Sequence, residues 1–275
     1  MENYETILIE YLDFCKRQKR LDAKTIRAYR ADLEHLFSSI SPTDPTDASP
    51  QALEGYIKEL HEKYQPRTVK RKIASAKAFY HYLESHEIIC NNPWLRVQSK
   101  FREPLILPRI ITLDTVQTLL AFIYAQIENG KTLYRRRNAI RDVAVCELLF
   151  ATGIRIFELC SLTPYDVDLF GGTVLIRGKG AKERVLQIGN RHVHDALVKY
   201  KASYSGEISQ CGRFFANQSG HPFSDQAVRR MLNYYTNLSG INQHITPHMW
   251  RHTFATSLLD ADVDIRYIVY CKIKM

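Results

Sequence analysis

The sequence predicts a mainly α protein in two parts, a small four-helix domain and a larger, mostly α domain carrying one β-hairpin. Three observations predict it. Apolar residues recur at spacings of three and four through most of the chain, the mark of helices with one buried face. A run with three prolines and little periodicity, NNPWLRVQSKFREPLILP from Asn91, interrupts that pattern. One stretch, GTVLIRGKGAKERVLQIG at 172–189, instead places two β-prone segments around a glycine-containing turn.

Taken in order, Ile7, Leu8, Tyr11, Leu12 and Cys15 form the first stripe, and Ile26, Tyr29, Leu33, Leu36 and Phe37 the second. The turn-rich SPTDPTDASP follows, with Ser49-Pro50 as the cap of a third helix through Leu53, Tyr56, Ile57 and Leu60. A fourth helix from Pro66 uses Val69, Ile73, Phe79, Tyr80 and Leu83. These elements make a domain over residues 1–96, with 97–108 as linker and 109–275 as the second domain. Within the latter, helices are expected over Thr112–Ile127 and Asn138–Phe150, the second buried along RDVAVCELLF, then at 191–202 and 224–237. The last helix opens with Thr246 as N-cap and Pro247 in its first turn.

At 275 residues and 45% hydrophobic content the chain has material for a core in each part. Its 38 Lys and Arg against 29 Asp and Glu give a net charge of +9, which favours a polyanionic partner: DNA, RNA or anionic lipid. Residues 1–100 hold 16 basic and 14 acidic side chains and residues 101–275 hold 22 and 15, so the excess lies mainly in the second part. No apolar run approaches the roughly 20 residues of a membrane span, and the N-terminal MENYETILIEYLDF is acidic and amphipathic, so a cytoplasmic protein is expected. The six cysteines contain no C-x-x-C pair and read as reduced thiols.

Four groups of residues carry candidate chemistry. In ATGIRIFELCSL (151–162), Gly153 breaks a buried helix and Arg155 starts the next; the guanidinium either pairs with Glu158 or faces a phosphate. In RGKGAKER, Arg177, Lys179, Lys182 and Arg184 crowd a glycine turn, as a solvated hairpin edge or as an anion-facing cluster. The closing helix places His248, Arg251 and His252 in its first turns, where the helix N-terminus already favours an anion. HMWRH has the H-x-x-x-H spacing, but an arginine stands where a metalloprotease needs glutamate, so no metal is expected. In the first domain, Lys24, Arg27 and Arg30 line one helix, and Arg67, Lys70, Arg71 and Lys77 another, as solvated faces or as contacts to a nucleic-acid backbone.

Together ATGIRIFEL, RGKGAKER and TPHMWRHTFAT resemble, in order and character, the active-site boxes of the tyrosine recombinase (phage integrase) family, above all its Xer-like and integron-integrase-like members. PRTVKRKIASAKAFYHYLE followed by NNPW looks like the end of that family's helical core-binding domain, and the resemblance runs from about residue 2 to about residue 266. It implies a SAM-like core-binding domain and a tyrosine recombinase catalytic domain that clamp duplex DNA, with protomers assembling as a tetramer on DNA in a bacterial nucleoid. It also implies site-specific strand cleavage and rejoining through a 3′-phosphotyrosyl link, without metal or cofactor. By motif, Arg155 and Arg251 would stabilise the non-bridging oxygens, His248 would bond the same phosphate, and Lys179 would protonate the leaving 5′-oxygen. Glu158 would orient Arg155, and His252 would pack.

One departure stands out. The family's nucleophile lies about thirty residues beyond its second arginine, after a Leu-Gly-His-like segment; here 24 residues follow Arg251, and VYCKIKM matches nothing in that pattern. Tyr267 and Tyr270 come 16 and 19 residues after Arg251, too early for that role. The expectation is a chain truncated or frame-shifted before its nucleophile, with impaired activity and weakened assembly; the alternative is a non-catalytic DNA-binding protein that occupies or regulates recombination sites.

Overall fold

The computed structural model describes residues 4–40, 48–102, 110–178 and 183–260. Contacts divide the chain into two compact units, Met1–Ile106 and Leu107–Met275.

In the first unit α1 (Tyr4–Arg17), α2 (Ala23–Ile40), α3 (Pro50–Lys63) and α4 (Pro66–Ser85) follow the four apolar stripes. Ser49 caps α3 by accepting the Ala52 N–H at 3.1 Å. The stripes converge on an aromatic centre in which Phe79 meets Tyr11 and Phe37 edge-on at 5.2 and 5.5 Å. Of the expected stripes, only Ile26 and Tyr29 stay partly exposed, because the first turns of α2 lie at the margin of this core. A 3-10 turn, Pro93–Arg96, seats Trp94 in the core, while Val97 and Phe101 also pack there, so the chain remains with the first unit through Phe101.

The packing also buries a charge cluster that apolar periodicity does not announce. Asp32 of α2, 2% exposed, accepts from Ser75 at 2.9 Å and is paired with Arg71 and with Lys72 at 3.4 Å, all on α4.

The second unit is built on α6 (Leu133–Thr152), against which α5 (Leu113–Asn129), α8 (Arg191–Ser203) and α11 (Pro247–Asp260) pack. Thr112 and Thr132 cap α5 and α6 through the Thr115 and Arg135 N–H groups, each at 3.2 Å. Helix α6 starts five residues before the expected Asn138 because Leu133 and Tyr134 are exposed there and leave no apolar rhythm; the cap, not burial, sets the start. Arg141 to Leu149 are buried throughout, as RDVAVCELLF predicts.

After α7 (Ile156–Ser161) come β1 (Val167–Asp168), β2 (Thr173–Arg177) and β3 (Glu183–Gln187), an antiparallel sheet in that order. Strand β1, two residues long, gives no sequence period. The β2–β3 register pairs Val174 with Leu186 and Ile176 with Arg184, so these four share one face. Helices α9 (Ser205–Cys211) and α10 (Asp225–Leu238) precede α11. No helix among the described residues is long and apolar enough to cross a membrane.

Candidate active site

Helix α6 ends where its chain must reverse. Gly153 adopts φ +56°, and its N–H closes the helix on the Leu149 carbonyl at 3.0 Å. A Cβ at this position would strike Cδ1 of Phe254, so glycine is required both for its conformation and for the close approach of α11. Two residues on, Arg155 is the N-cap of α7. An arginine has no acceptor, so the cap works from the other side: Glu158 accepts the Arg155 backbone N–H at 3.0 Å.

The Glu158 carboxylate collects more. It accepts the Arg155 Nη1 at 2.9 Å, and Arg184 of β3 approaches both of its oxygens, at 3.0 and 2.6 Å. Burial pushes this carboxyl up, but the hydrogen bonds from Arg184 and from the Arg155 backbone outweigh it and hold the group below its usual range. The plain alternative for Arg155, an ion pair with Glu158, is therefore present. It leaves 29% of the arginine side chain exposed, against 3% for its partner, so the guanidinium is oriented from beneath and open on another side.

Helix α11 is held by its apolar and hydroxyl residues. The Thr246 carbonyl accepts the Met249 N–H at 2.9 Å; Trp250 is fully buried against Phe150 at 6.2 Å; Thr253 accepts the Ile111 N–H at 2.9 Å and donates back to the Ile111 carbonyl at 3.0 Å. So anchored, the helix directs Arg251 to the α6–α7 loop, where its Nη1 donates to the Gly153 carbonyl. Arg251 and Arg155, 96 residues apart in sequence, thus meet at one three-residue loop. His248 is exposed three residues before Arg251, on the same face of α11, and His252 is half-buried.

Among the hairpin cations, Arg177 is half-exposed and paired with Asp166 and, at 3.1 Å, with Glu183 across the strands. Arg184 turns the other way, onto Glu158, with 14% of its side chain exposed. A signal for this was present: in RVLQI, Arg184 has the same parity as Leu186 and Ile188, the inward face. Lys179 and Lys182 lie outside the described residues, as do Tyr267, Tyr270 and the rest of 261–275. In the first unit, Lys24, Arg27 and Arg30 lie on the exposed side of α2, and Arg67, Lys70, Arg71 and Lys77 on that of α4. Arg71 is tied to Asp32, and Lys77 lies over the Trp94 ring at 5.8 Å.

A four-helix unit is thus followed by a helical unit in which α11, bearing His248 and Arg251, is tied to the loop bearing Arg155, side chains whose chemistry suits a phosphate. Residues 109–271 match the phage integrase family and residues 8–87 the N-terminal SAM-like domain of phage integrases, and the chain belongs to this family of tyrosine recombinases. A tyrosine recombinase of Agathobacter rectalis is 56% identical over 268 residues, covering 98% of this chain and 88% of that protein. Tyrosine recombinase XerC of Thermodesulfovibrio yellowstonii is 35% identical over 280 residues, covering 98% of this chain and 87% of that protein. The crystal structure of the XerH site-specific recombinase in a post-cleavage complex with palindromic difH substrate has the same fold, with a TM-score of 0.75 at 20% identity over 94% of this chain and 75% of that one.

Proposed function

We propose that this chain acts as a site-specific recombinase on duplex DNA, gripping a backbone phosphate between Arg155, Arg251 and His248. The two guanidinium groups offset charge building on the non-bridging oxygens, and His248 donates to the same phosphate. A tyrosine hydroxyl, of this chain or of a partner protomer, gives up its proton to solvent and attacks phosphorus, the bond to the 5′-oxygen breaks, and Lys179 supplies the proton that the 5′-oxygen takes up. The phosphotyrosyl link keeps the phosphodiester energy, so a second 5′-hydroxyl rejoins the strand without a nucleotide. The exposed basic faces of α2 and α4 take the flanking phosphates, and further protomers complete the assembly on DNA.

The observation that carries this reading is the hydrogen bond from Arg251 to the Gly153 carbonyl, which brings the helix bearing His248 and Arg251 onto the loop bearing Arg155. The test is a nicked suicide duplex carrying a recombination site, with the covalent adduct resolved on a denaturing gel. An adduct that forms with wild type and is lost in Arg155→Ala and Arg251→Ala supports it, and peptide mapping then identifies the attacking tyrosine. Tight DNA binding with no adduct would instead make the chain a non-catalytic occupant of its sites.

A further inference from the structure

Resting on that reading, we propose that Arg184 is a positioning residue for strand cleavage, fixing Arg155 through Glu158 to strand β3, and is not itself a DNA contact.

Sequence alone groups Arg184 with Lys179, Lys182 and Arg177 as one basic cluster. The structure separates it. The register sets Arg184 opposite Ile176, which is fully buried, so its side chain leaves the sheet on the inner face. There it meets Glu158 through two hydrogen bonds, Nη1 to Oε1 at 3.0 Å and Nη2 to Oε2 at 2.6 Å. A fork of this kind fixes direction as well as distance, because both donors lie in the guanidinium plane.

Glu158 is the other half of the device. With 3% of its surface exposed it holds β3 through Arg184 and, at the same time, the start of α7 through the Arg155 backbone and side chain. One buried carboxylate therefore fixes two elements: the strand that leaves the hairpin turn and the arginine assigned to the phosphate. A charge stabiliser acting on a phosphate has to hold a set position, and for Arg155 that position is fixed from β3 through Glu158. Residues 163–166 brace the outer face of the same hairpin through Asp166 and Arg177, but that pair does not touch Arg155.

Three measurements on the full chain separate positioning from DNA contact and from mere folding. For Arg184→Met, the slope of log affinity for duplex DNA against log salt is expected to stay at the wild-type value. Loss of a phosphate-contacting arginine would lower it by about 0.9. The rate of adduct formation at saturating DNA is expected to fall roughly 10- to 100-fold, with DNA affinity held within about twofold. Arg184→Lys, which keeps the charge without the fork, should likewise leave DNA affinity unchanged and should recover the rate only in part. Amide hydrogen exchange supplies an arm independent of catalysis: the Arg155 N–H, bonded to Glu158, should exchange faster in Arg184→Met while α5 and α8 keep their protection. A salt slope reduced by about one unit, or unchanged exchange at Arg155, would overturn the proposal. If wild type forms no adduct, the recombinase reading fails, while the exchange and salt-slope arms still decide the role of Arg184.

Discussion

Replacing Gly153 with alanine tests the geometry on which the site depends. The left-handed conformation at φ +56° costs a residue with a Cβ about 1–2 kcal/mol. The added methyl also runs into the Phe254 ring, and overpacking of this kind costs about 1–3 kcal/mol more as the ring swings aside. The expected total is about 2–5 kcal/mol, which for a unit the size of the second one lowers its melting temperature by roughly 5–15 °C. Calorimetry should show this in the second unit's transition and leave the first unit's in place. Adduct formation should fall further than stability alone explains, because the Gly153 carbonyl that holds Arg251 moves with the strained loop. The double variant Gly153→Ala with Phe254→Ala separates the two terms: the clash disappears and the conformational cost stays, so the pair should be less damaging than the sum of the singles. If Gly153→Ala melts within about 1 °C of wild type, the packing of α11 on this loop is not what holds Arg251.

Three further outcomes are expected. Asp32→Ala strands Lys72, 6% exposed, between α2 and α4 without its carboxylate and should cost the first unit about 3–5 kcal/mol, read by urea denaturation. Burial raises the carboxyl of Glu147 despite the hydrogen bond from Tyr124 at 2.9 Å, so the folded chain keeps this proton to higher pH than the unfolded chain does. Stability drawn from that group is present below the unfolded value near about 4.3 and is lost as pH rises through the folded value. Glu147→Gln, which still accepts from Tyr124, should therefore gain on wild type as pH rises above the unfolded value, and parallel melts over that rise with no such trend would refute the assignment. DNA binding that neutralises about six phosphates should show a log-log salt slope near −5, and Arg27→Ala or Arg67→Ala should each lower it by about one unit, as measured by anisotropy titration.

The helical stripes were legible because a helix with one buried face must repeat its apolar residues every three or four positions. Leu53, Tyr56, Ile57 and Leu60 on α3 and the five stripe residues of α1 are all buried. Elements too short or too exposed to carry a period escaped: β1, α9 and the first turns of α6, where a threonine cap does what burial does elsewhere. The pairing of buried charge escaped as well. Burial was expected along RDVAVCELLF, but not the partners that make it tolerable for Asp142, which is paired with Arg141 and bonded by the Tyr235 hydroxyl at 3.0 Å.

Residue types and their order were enough to nominate Arg155, His248 and Arg251 as candidates, because an arginine in apolar surroundings needs an anionic partner and a helix start favours one, while the choice between Glu158 and a phosphate stayed open in the sequence. What those residues do to one another was decided only by tertiary structure. Which of two hairpin arginines faces outward depends on strand register, and the meeting of Arg251 with the Arg155 loop depends on Trp250 and Thr253 seating α11 against α6 and Ile111. A side chain's chemistry is local and can be read along the chain, whereas a hydrogen bond across 98 residues exists only once packing has closed the distance.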